Sequence, residues 1–135
     1  MLEEWRHIHN VIIPTDPLSL EQVRERSGRY LLDVAYLDDT PVGCMTVRPP
    51  STDTPAVTVI ARVLPEHRRR GFGRRLFEHG LVAARRLGSD TVETIVLASN
   101  VDGLRFAEAC GFAEVARDLL PGDTIPYVTL RAPLE

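Results

Sequence analysis

The strongest constraint on the fold of this chain is a change of hydrophobic period near its middle. Residues Ala56 to Leu64 form the longest β-favouring run, and its weak alternation predicts a central strand covered on both faces. From Gly73 the apolar residues recur with a period of about 3.6, which predicts an amphipathic helix ended by Gly88. Val92 to Ala98 predicts a second buried strand. This order predicts a right-handed, parallel strand–helix–strand unit.

The segments on either side of this unit predict further helices and two hairpins. Leu2 to Ile13 has helical spacing, although its last three residues also suit an extended chain. Ser19 and Gln22 form a capping box that begins a short helix stopped by Gly28. The remaining predicted elements are a hairpin of Tyr30 to Leu37 with Val42 to Val47, a helix from Gly103 to Cys110, and strands at Ala113 to Leu119 and Ile125 to Leu130. We therefore predict an α/β fold, α+β in some schemes, in which residues 1–135 form one domain around a mixed sheet.

The composition argues against several classes of partner. Apolar residues make up 44% and charged residues 26%, and the net charge of −3 gives no general attraction to nucleic acid or anionic membranes. No apolar run approaches the roughly 18 residues of a membrane span, and the acidic start with Trp5 is unlike a signal peptide. We expect a cytoplasmic protein. All 16 basic residues are Arg, which suits phosphate binding but also fits the codon bias of a GC-rich genome.

The cysteines and histidines do not predict metal or covalent chemistry. Cys44 and Cys110 lie far apart, flanked by small or apolar residues, and are interpreted as reduced, buried thiols. The 4 histidines have no ligand spacing, and His67 and His79 are expected at the surface. We therefore predict no metal site. Neither thiol has a visible histidine partner, so we expect no acyl-enzyme.

The segment that carries chemistry is the basic turn from Arg68 to Arg74. It follows a buried strand that ends at Val63, and Gly71 and Gly73 open the amphipathic helix. The first amides of a helix lack internal partners and lie at its positive dipole end, while glycines allow a diphosphate to approach the backbone. Neither a Walker loop nor a Rossmann fingerprint fits the turn. Taken alone, the turn is also compatible with an ordinary tight connection carrying a solvated basic loop.

Two spaced motifs resemble the GNAT superfamily of acyl-CoA N-acyltransferases. Arg68-x-x-Gly71-x-Gly73 is similar to the family signature Q/R-x-x-G-x-G/A. Asn100 to Phe112 is similar to the family segment of Asn, short helix and Gly-Phe, and the first predicted hairpin resembles the second and third strands of the family. The resemblance covers nearly the whole chain. It implies a GNAT-like mixed, mostly antiparallel sheet with helices on both faces.

The resemblance implies that the chain binds acetyl-CoA or coenzyme A as a co-substrate. The diphosphate would sit on the basic turn, and the pantetheine arm would pair with the end of the preceding strand, which in such proteins carries a bulge and splays from the next strand. There the Val63 amide would act in catalysis by hydrogen-bonding the thioester carbonyl as it gains charge. The implied cofactor-binding residues are Ala61, Arg62, Val63, Arg68, Arg69, Arg70, Gly71, Phe72, Gly73, Arg74 and Asn100.

The short helix after Asn100 leaves two assignments open. Asn100 matches the family Asn that bonds the pantetheine chain, but it also suits an N-cap of this helix. Many relatives carry a Tyr in the helix, proposed to protonate the departing thiolate, where this chain has Ala107. The general acid therefore stays unassigned among Ser99, Cys110 and water.

The general base is also not assigned by the resemblance. Relatives often have Glu or His on the strand before the basic turn, but the inward residues here are Val59 and Ala61, which cannot accept a proton. The remaining candidates are Glu93 on the following strand and His7 or His9 near the N-terminus. Each of these is also compatible with an ordinary surface position.

The start of the chain departs from the family pattern. The family usually begins with a strand and a longer first helix, and the segment from Met1 to Ile13 is too short for both. A missing or truncated first strand would expose an edge on the strand from Tyr30 to Leu37. We expect either that a second subunit covers this edge in a homodimer or that the chain matches only part of a longer relative.

The function that these features predict is an N-acetyltransferase. The acetyl or another acyl group would pass from acetyl-CoA to a primary amine, on a small molecule or a peptide, by direct attack in a ternary complex. The alternative is a non-catalytic acyl-CoA-binding regulatory module, which the absent Tyr and strand carboxylate favour. A nucleic-acid binder using Arg68 to Arg75 is disfavoured, because the cluster is short and lacks interleaved aromatics.

Overall fold

The fold is that of a computed structural model, which describes residues 1–134. Its elements in chain order are α1 (Leu2–Ile12), α2 (Leu20–Ser27), β1 (Leu31–Leu37), β2 (Thr40–Arg48), β3 (Val57–Val63), a 3-10 turn (Pro65–His67), α3 (Phe72–Arg85), β4 (Thr91–Leu97), α4 (Val101–Ala109), β5 (Ala113–Asp118) and β6 (Tyr127–Pro133). The ambiguous N-terminal segment is therefore helical. None of the helices in these residues is long and apolar enough to cross a membrane.

Six strands form one sheet in the order β1-β2-β3-β4-β6-β5. Among the described residues, β3 and β4 are the parallel neighbours, and all other neighbouring strands run antiparallel. This confirms the prediction of a mixed, mostly antiparallel sheet. The central strand–helix–strand unit consists of β3, α3 and β4, in the places that the change of hydrophobic period predicts.

The sheet has a hydrophobic core on each face, and successive side chains of β2 pack into one core and then the other. Met45 packs in one core with Leu76 and Phe77 of α3, to which α4 also contributes. Its neighbour Cys44 packs in the other core with Trp5 of α1. Since successive side chains of a strand point to opposite faces, α3 and α4 cover one face, and α1 and α2 cover the other.

Local signals set several helix and turn positions. Ser19 Oγ accepts a hydrogen bond from the Gln22 amide over 3.1 Å, and Gln22 Oε1 accepts one from the Ser19 amide over 2.8 Å. This reciprocal pair confirms the predicted capping box. Gly28 is the C-cap of α2, and Asp38, with a φ of 56°, turns the β1–β2 hairpin.

Strand β6 differs from its sequence prediction at both ends. It begins at Tyr127 and continues to Pro133, whereas its β-favouring side chains predicted Ile125 to Leu130. The physical reason is tertiary, because β6 pairs with β4 along the whole length of that strand. Backbone pairing thus extends the strand past the residues whose side chains favour it.

The bulge expected in β3 is absent from its pairing with β2. Over the described pairs, from Gly43 with Val63 to Arg48 with Thr58, the register advances one residue at a time. A register shift lies instead in the β1–β2 ladder, where Ala35 pairs with Gly43 and Tyr36 pairs with Pro41. The expectation of a bulge, taken from the family resemblance, was therefore wrong for the β2–β3 ladder.

Strand β1 forms one edge of the sheet. No strand precedes it within residues 1–134, and its Leu31 and Leu37 side chains are 47% and 40% exposed. This confirms that the first strand typical of the family is missing from the described residues. A second subunit that covers this edge stays a prediction.

Candidate active site

Strands β3 and β4 separate soon after they begin. They pair at Val57 with Val92 and at Thr58 with Glu93. Beyond these positions β3 continues beside β2, and β4 continues beside β6. The splay implied by the family resemblance is therefore present. It leaves the edge of β3 over residues 59–63 facing a gap in the middle of the sheet.

The hydrogen-bond pattern of β3 turns the backbone of Val63 toward this gap. The Leu64 amide donates to the Val42 carbonyl over 2.9 Å, so these two residues form a hydrogen-bonded pair. Bonded and non-bonded pairs alternate along an antiparallel ladder, so the next pair, Val63 with Gly43, is non-bonded. The N–H and C=O groups of Val63 therefore point away from β2, and the same alternation applies to Ala61.

A hydrogen bond from the Arg68 side chain connects the basic turn to the end of β3. Its Nε donates to the Val63 carbonyl over 2.9 Å. This bond occupies one gap-facing group of Val63 and leaves the N–H group. Arg68 therefore has a structural role in addition to the cofactor contact that the resemblance implies for it.

Helix α3 begins without a side-chain cap. Gly71 is its N-cap, with a left-handed φ of 84°, and the Arg75 amide donates to the Gly71 carbonyl over 3.1 Å. The amides of residues 72–74 precede this bond and have no helical acceptor. By contrast, Ser19 and Asn100 cap α2 and α4, and both helices carry an acidic residue in the first turn, which α3 lacks. The start of α3 is thus suited to an anion from outside the chain.

A cavity of about 440 Å³ joins the start of α3, the end of β3 and the first turn of α4. It brings together all the cofactor residues implied by the resemblance except Arg70, which is exposed and lies outside the cavity wall. The implied residues in the wall are Ala61, Arg62, Val63, Arg68, Arg69, Gly71, Phe72, Gly73, Arg74 and Asn100. The wall also contains Ile12, His67, Asp102, Gly103, Arg105 and Phe106, which sequence reasoning did not identify.

The missed residues differ in how far the sequence could have indicated them. Asp102 and Arg105 lie in the segment that already resembles the family motif, and their i, i+3 spacing predicts that they share one face of α4. His67 was expected at the surface, but it is half-buried, and its Nδ1 is buried without a hydrogen-bond partner in the described chain. The 3-10 turn that brings His67 inward has little sequence signal beyond Pro65.

The side chain of Asn100 caps α4. Its Oδ1 accepts a hydrogen bond from the Gly103 amide over 3.0 Å. This confirms the cap interpretation of Asn100. The same residue lines the cavity, so a contact with pantetheine through Nδ2 stays a prediction.

The gap narrows to a space of about 50 Å³ between β3, β4 and α4. Ala107, which is 3% exposed, and Cys110 both line it. Burial raises the pKa of the Cys110 thiol, and it raises the pKa of Cys44 to about 11. Both thiols therefore stay protonated at neutral pH, which disfavours a thiolate nucleophile.

The geometry does not favour the sequence-based candidates for a general base. Glu93 lies where β3 and β4 are still paired, and its Oε2 accepts hydrogen bonds from Arg131 Nε and Nη2 over 2.8 and 2.5 Å. His9 is buried and stacked on Trp5, and burial lowers its pKa to about 4, while His7 is exposed. None of the three lines the described cavity walls. Nor do residues 1–134 contain a group of three His, Cys, Asp or Glu side chains that could hold a metal.

The chain matches a known family over most of its length. The model of the Acetyltransferase (GNAT) family matches residues 1–112. The chain belongs to the GNAT acetyltransferase family. The match includes β3, α3, β4 and α4, so the cavity lies within the part of the chain that matches the family.

Several solved structures share the fold of this GNAT protein. The ribosomal-protein-S18-alanine N-acetyltransferase of Escherichia coli is 22% identical with a TM-score of 0.77, covering 98% of this chain and 87% of that one. The yncA protein of Salmonella typhimurium, solved with its cofactor acetyl-CoA, is 17% identical with a TM-score of 0.74, covering 99% and 86%. Ard1 of Thermoplasma volcanium is 17% identical with a TM-score of 0.81, covering 100% and 94%. These likenesses show the fold alone. No curated protein matches the sequence.

Proposed function

We propose that this protein is an N-acetyltransferase that transfers the acetyl group of acetyl-CoA to a primary amine by direct attack in a ternary complex. The observation that carries the proposal is the convergence of two sets of N–H groups on one cavity, those of residues 72–74 and that of Val63. The first set suits a diphosphate, and the second suits a carbonyl oxygen. Acetyl-CoA contains both groups, joined by a pantetheine arm.

The side chains around the cavity also fit coenzyme A. Arg68, Arg69, Arg74 and Arg105 line the wall and supply cations near the start of α3. Arg70, exposed beside them, adds to the attraction for an anionic cofactor from solvent. The unpaired edge of β3 over residues 59–63 would hold the pantetheine arm as an additional strand.

The reaction that this arrangement supports needs no covalent enzyme intermediate. The nitrogen of a neutral amine attacks the thioester carbon, and the Val63 N–H stabilises the negative charge that develops on the carbonyl oxygen. Collapse breaks the carbon–sulfur bond. The nitrogen loses one proton to water, and the departing sulfur takes one proton from water, giving an N-acetyl amide and free coenzyme A. Holding both reactants in one cavity supplies much of the rate.

A donor and acceptor panel tests this function. Acetyl-CoA is mixed with small amines, arylamines, polyamines and peptide N-termini, and free thiol is measured. A matched donor, the S-acetyl thioester of N-acetylcysteamine, lacks the diphosphate and should react poorly. Calorimetry with coenzyme A gives binding independently of turnover. Binding without thiol release for every amine would favour the regulatory module, and absence of binding would remove the cofactor assignment.

A further inference from the structure

Arg62 lies on the face of β3 opposite the helix that begins the proposed cofactor site. The neighbouring Val63 belongs to the core beneath α3, with its Cγ2 only 3.6 Å from the place of a Cβ at Gly73. Since side chains alternate along a strand, Arg62 points toward the face covered by α1 and α2. It lies opposite Cys44 in the β2–β3 register, and Cys44 belongs to the core beneath α1.

The guanidinium of Arg62 has no anionic partner in the described part of the chain. It is half-buried and makes no hydrogen bond or ion pair within residues 1–134. Burial is the main cause that lowers its pKa, and Arg48 and Arg26 lower it further, whereas Cys44 and Tyr127 act in the opposite direction. No carboxylate of these residues is among the causes. The guanidinium lines the cavity with only part of its surface in water, so a ligand anion that entered the cavity would stabilise its charge.

A second arginine on the same face is also without an anion. The Nε of Arg48 is buried and has no hydrogen-bond partner among the described residues. Its Cζ lies 5.2 Å from the centre of the Tyr30 ring, and burial, followed by Arg26 and Arg29, lowers its pKa. Arg26, Arg48 and Arg62 thus concentrate positive charge on one side of a chain whose net charge is −3.

Arg62 lies where an acceptor would meet the thioester. It lines both the larger cavity and the narrow part of the gap. It also directly precedes Val63, whose amide is the proposed carbonyl donor. Tyr127 faces the same side, because its neighbour Val128 packs in the core beneath α3. The diphosphate has its own amides and arginines at the start of α3, so Arg62 is not needed there.

We propose that the acceptor is a primary amine that also carries a carboxylate, and that Arg62 binds this carboxylate. The inference rests on the proposed acetyl transfer and specifies its substrate class. A guanidinium presents a planar fork that matches a carboxylate with two parallel hydrogen bonds. Because Arg62 adjoins Val63, the amine and the carboxylate are joined by a short spacer, as in an amino acid. The charges of Arg26 and Arg48 increase the local concentration of such anions.

Matched acceptors give the first test. Amino acids are compared with their carboxamides and with the corresponding decarboxylated amines, at saturating acetyl-CoA, by thiol release. We expect kcat/KM to be about 10- to 100-fold higher for the carboxylates, the range of a charge-assisted hydrogen bond. A higher kcat/KM for aminophosphonates than for the matching amino acids would overturn the assignment to a carboxylate.

Substitutions of Arg62 give the second test. Arg62→Gln should lower the ratio of kcat/KM for the carboxylate acceptor to kcat/KM for the matching carboxamide by about 10- to 100-fold. Arg62→Lys should restore part of the loss, because it restores charge without the fork. Arg24→Gln, at an exposed position of α2, is the matched control and should behave as wild type. Urea midpoints and coenzyme A calorimetry establish that each variant is folded.

The outcomes separate this inference from the proposed function. Equal thiol release with carboxylates and carboxamides would overturn the role of Arg62 and leave acetyl transfer standing. Loss of coenzyme A binding in Arg62→Gln would assign Arg62 to the cofactor instead. Coenzyme A binding with no thiol release for any amine would overturn both the transfer and its substrate class.

Discussion

Asn100 and Gly103 hold one another in place at the start of α4. Asn100 Oδ1 accepts a hydrogen bond from the Gly103 amide over 3.0 Å, and a Cβ added at Gly103 would lie 2.6 Å from Asn100 Nδ2. The absence of a Cβ at Gly103 therefore leaves room for the Asn100 side-chain amide, and the hydrogen bond orients its oxygen toward the start of the helix. Its Nδ2 group is left for a ligand in the cavity that Asn100 lines.

Substitutions of Asn100 should separate the helix cap from the cofactor contact. Asn100→Ser keeps a capping oxygen but loses the Nδ2 donor, so we expect stability within about 0.5 kcal/mol of wild type and a higher KM for acetyl-CoA. Asn100→Ala loses both groups and should cost about 1 kcal/mol as well. Urea unfolding and initial rates measure the two effects. An unchanged KM in Asn100→Ser would limit Asn100 to the cap.

A side chain at Gly71 should weaken coenzyme A binding, because the diphosphate would lie close to the Gly71 backbone. Gly71 and Gly122 have φ values of +84° and +86°, and a Cβ at either would meet nothing within 4 Å. Alanine at either position should therefore cost about 1–2 kcal/mol of backbone strain. Gly71→Ala alone should also weaken coenzyme A binding, since its Cβ would occupy the space of the diphosphate. Calorimetry with both variants checks this.

Gly73→Ala tests the approach of the diphosphate without backbone strain. Gly73 lies inside the first turn of α3, where a Cβ would meet Val63 Cγ2 at an ordinary 3.6 Å. Gly73→Ala should leave stability unchanged or slightly higher, because Ala favours helix more than Gly does, while coenzyme A affinity falls. Equal affinities for wild type, Gly71→Ala and Gly73→Ala would rule out close approach of the diphosphate to this turn.

The parts of the fold that the sequence predicts are those set by neighbouring residues. Ser19 and Gln22 lie three positions apart, and their capping box follows from the sequence alone. The β3–α3–β4 unit is likewise visible as a change of period, and Gly71 marks the start of α3 by its position before the apolar stripe. The motif residues of the cavity could be named because turn and helix positions are contiguous in the chain.

The parts that the sequence does not predict depend on contacts between distant segments. Glu93 was a candidate base until its partner was known, and that partner, Arg131, is 38 residues away on β6. The sequence likewise does not predict that Arg62 has no anionic partner among the described residues, because this depends on every side chain that packs around the guanidinium. Tertiary packing decides which strand pairs with β4 and which carboxylates come near Arg62.

Gly80 should set the distance between α3 and the sheet. A Cβ at Gly80 would lie 2.5 Å from Val59 Cγ1 and 3.0 Å from Met45 Sδ. Gly80→Ala should therefore lower the free energy of unfolding by about 1–3 kcal/mol through overpacking, despite the better helix propensity of Ala. Gly28→Ala is the control, since its Cβ would meet the nearest atom at 3.4 Å. Urea unfolding measures both variants.

A double variant tests whether that contact is the cause. Val59→Ala removes the methyl groups that Gly80→Ala would strike, so the pair should cost less than the sum of the single substitutions. Strict additivity would mean that the strain at Gly80 is relieved elsewhere.

His9 should make the stability of the protein depend on pH between neutrality and mild acid. It is 4% exposed, and burial lowers its pKa from 6.5 to about 4. Between these values the unfolded chain binds a proton that the folded chain does not. The contribution is therefore fully present above pH 6.5 and is lost as the pH falls toward about 4. The pKa difference corresponds to a loss on the order of 3 kcal/mol.

Two substitutions isolate this contribution from the other titrating groups. His9→Phe keeps a ring against Trp5, 5.3 Å from it in the wild type, but cannot bind a proton. Asn10 Oδ1, which His9 Nδ1 contacts at 3.0 Å, would still accept from the Leu18 amide over 2.9 Å. The difference in urea midpoint between wild type and His9→Phe should therefore change steadily from pH 7 to pH 4.5. His7→Gln, at an exposed position, should show no such trend. If the difference for His9→Phe did not depend on pH, folding would not lower the pKa of His9.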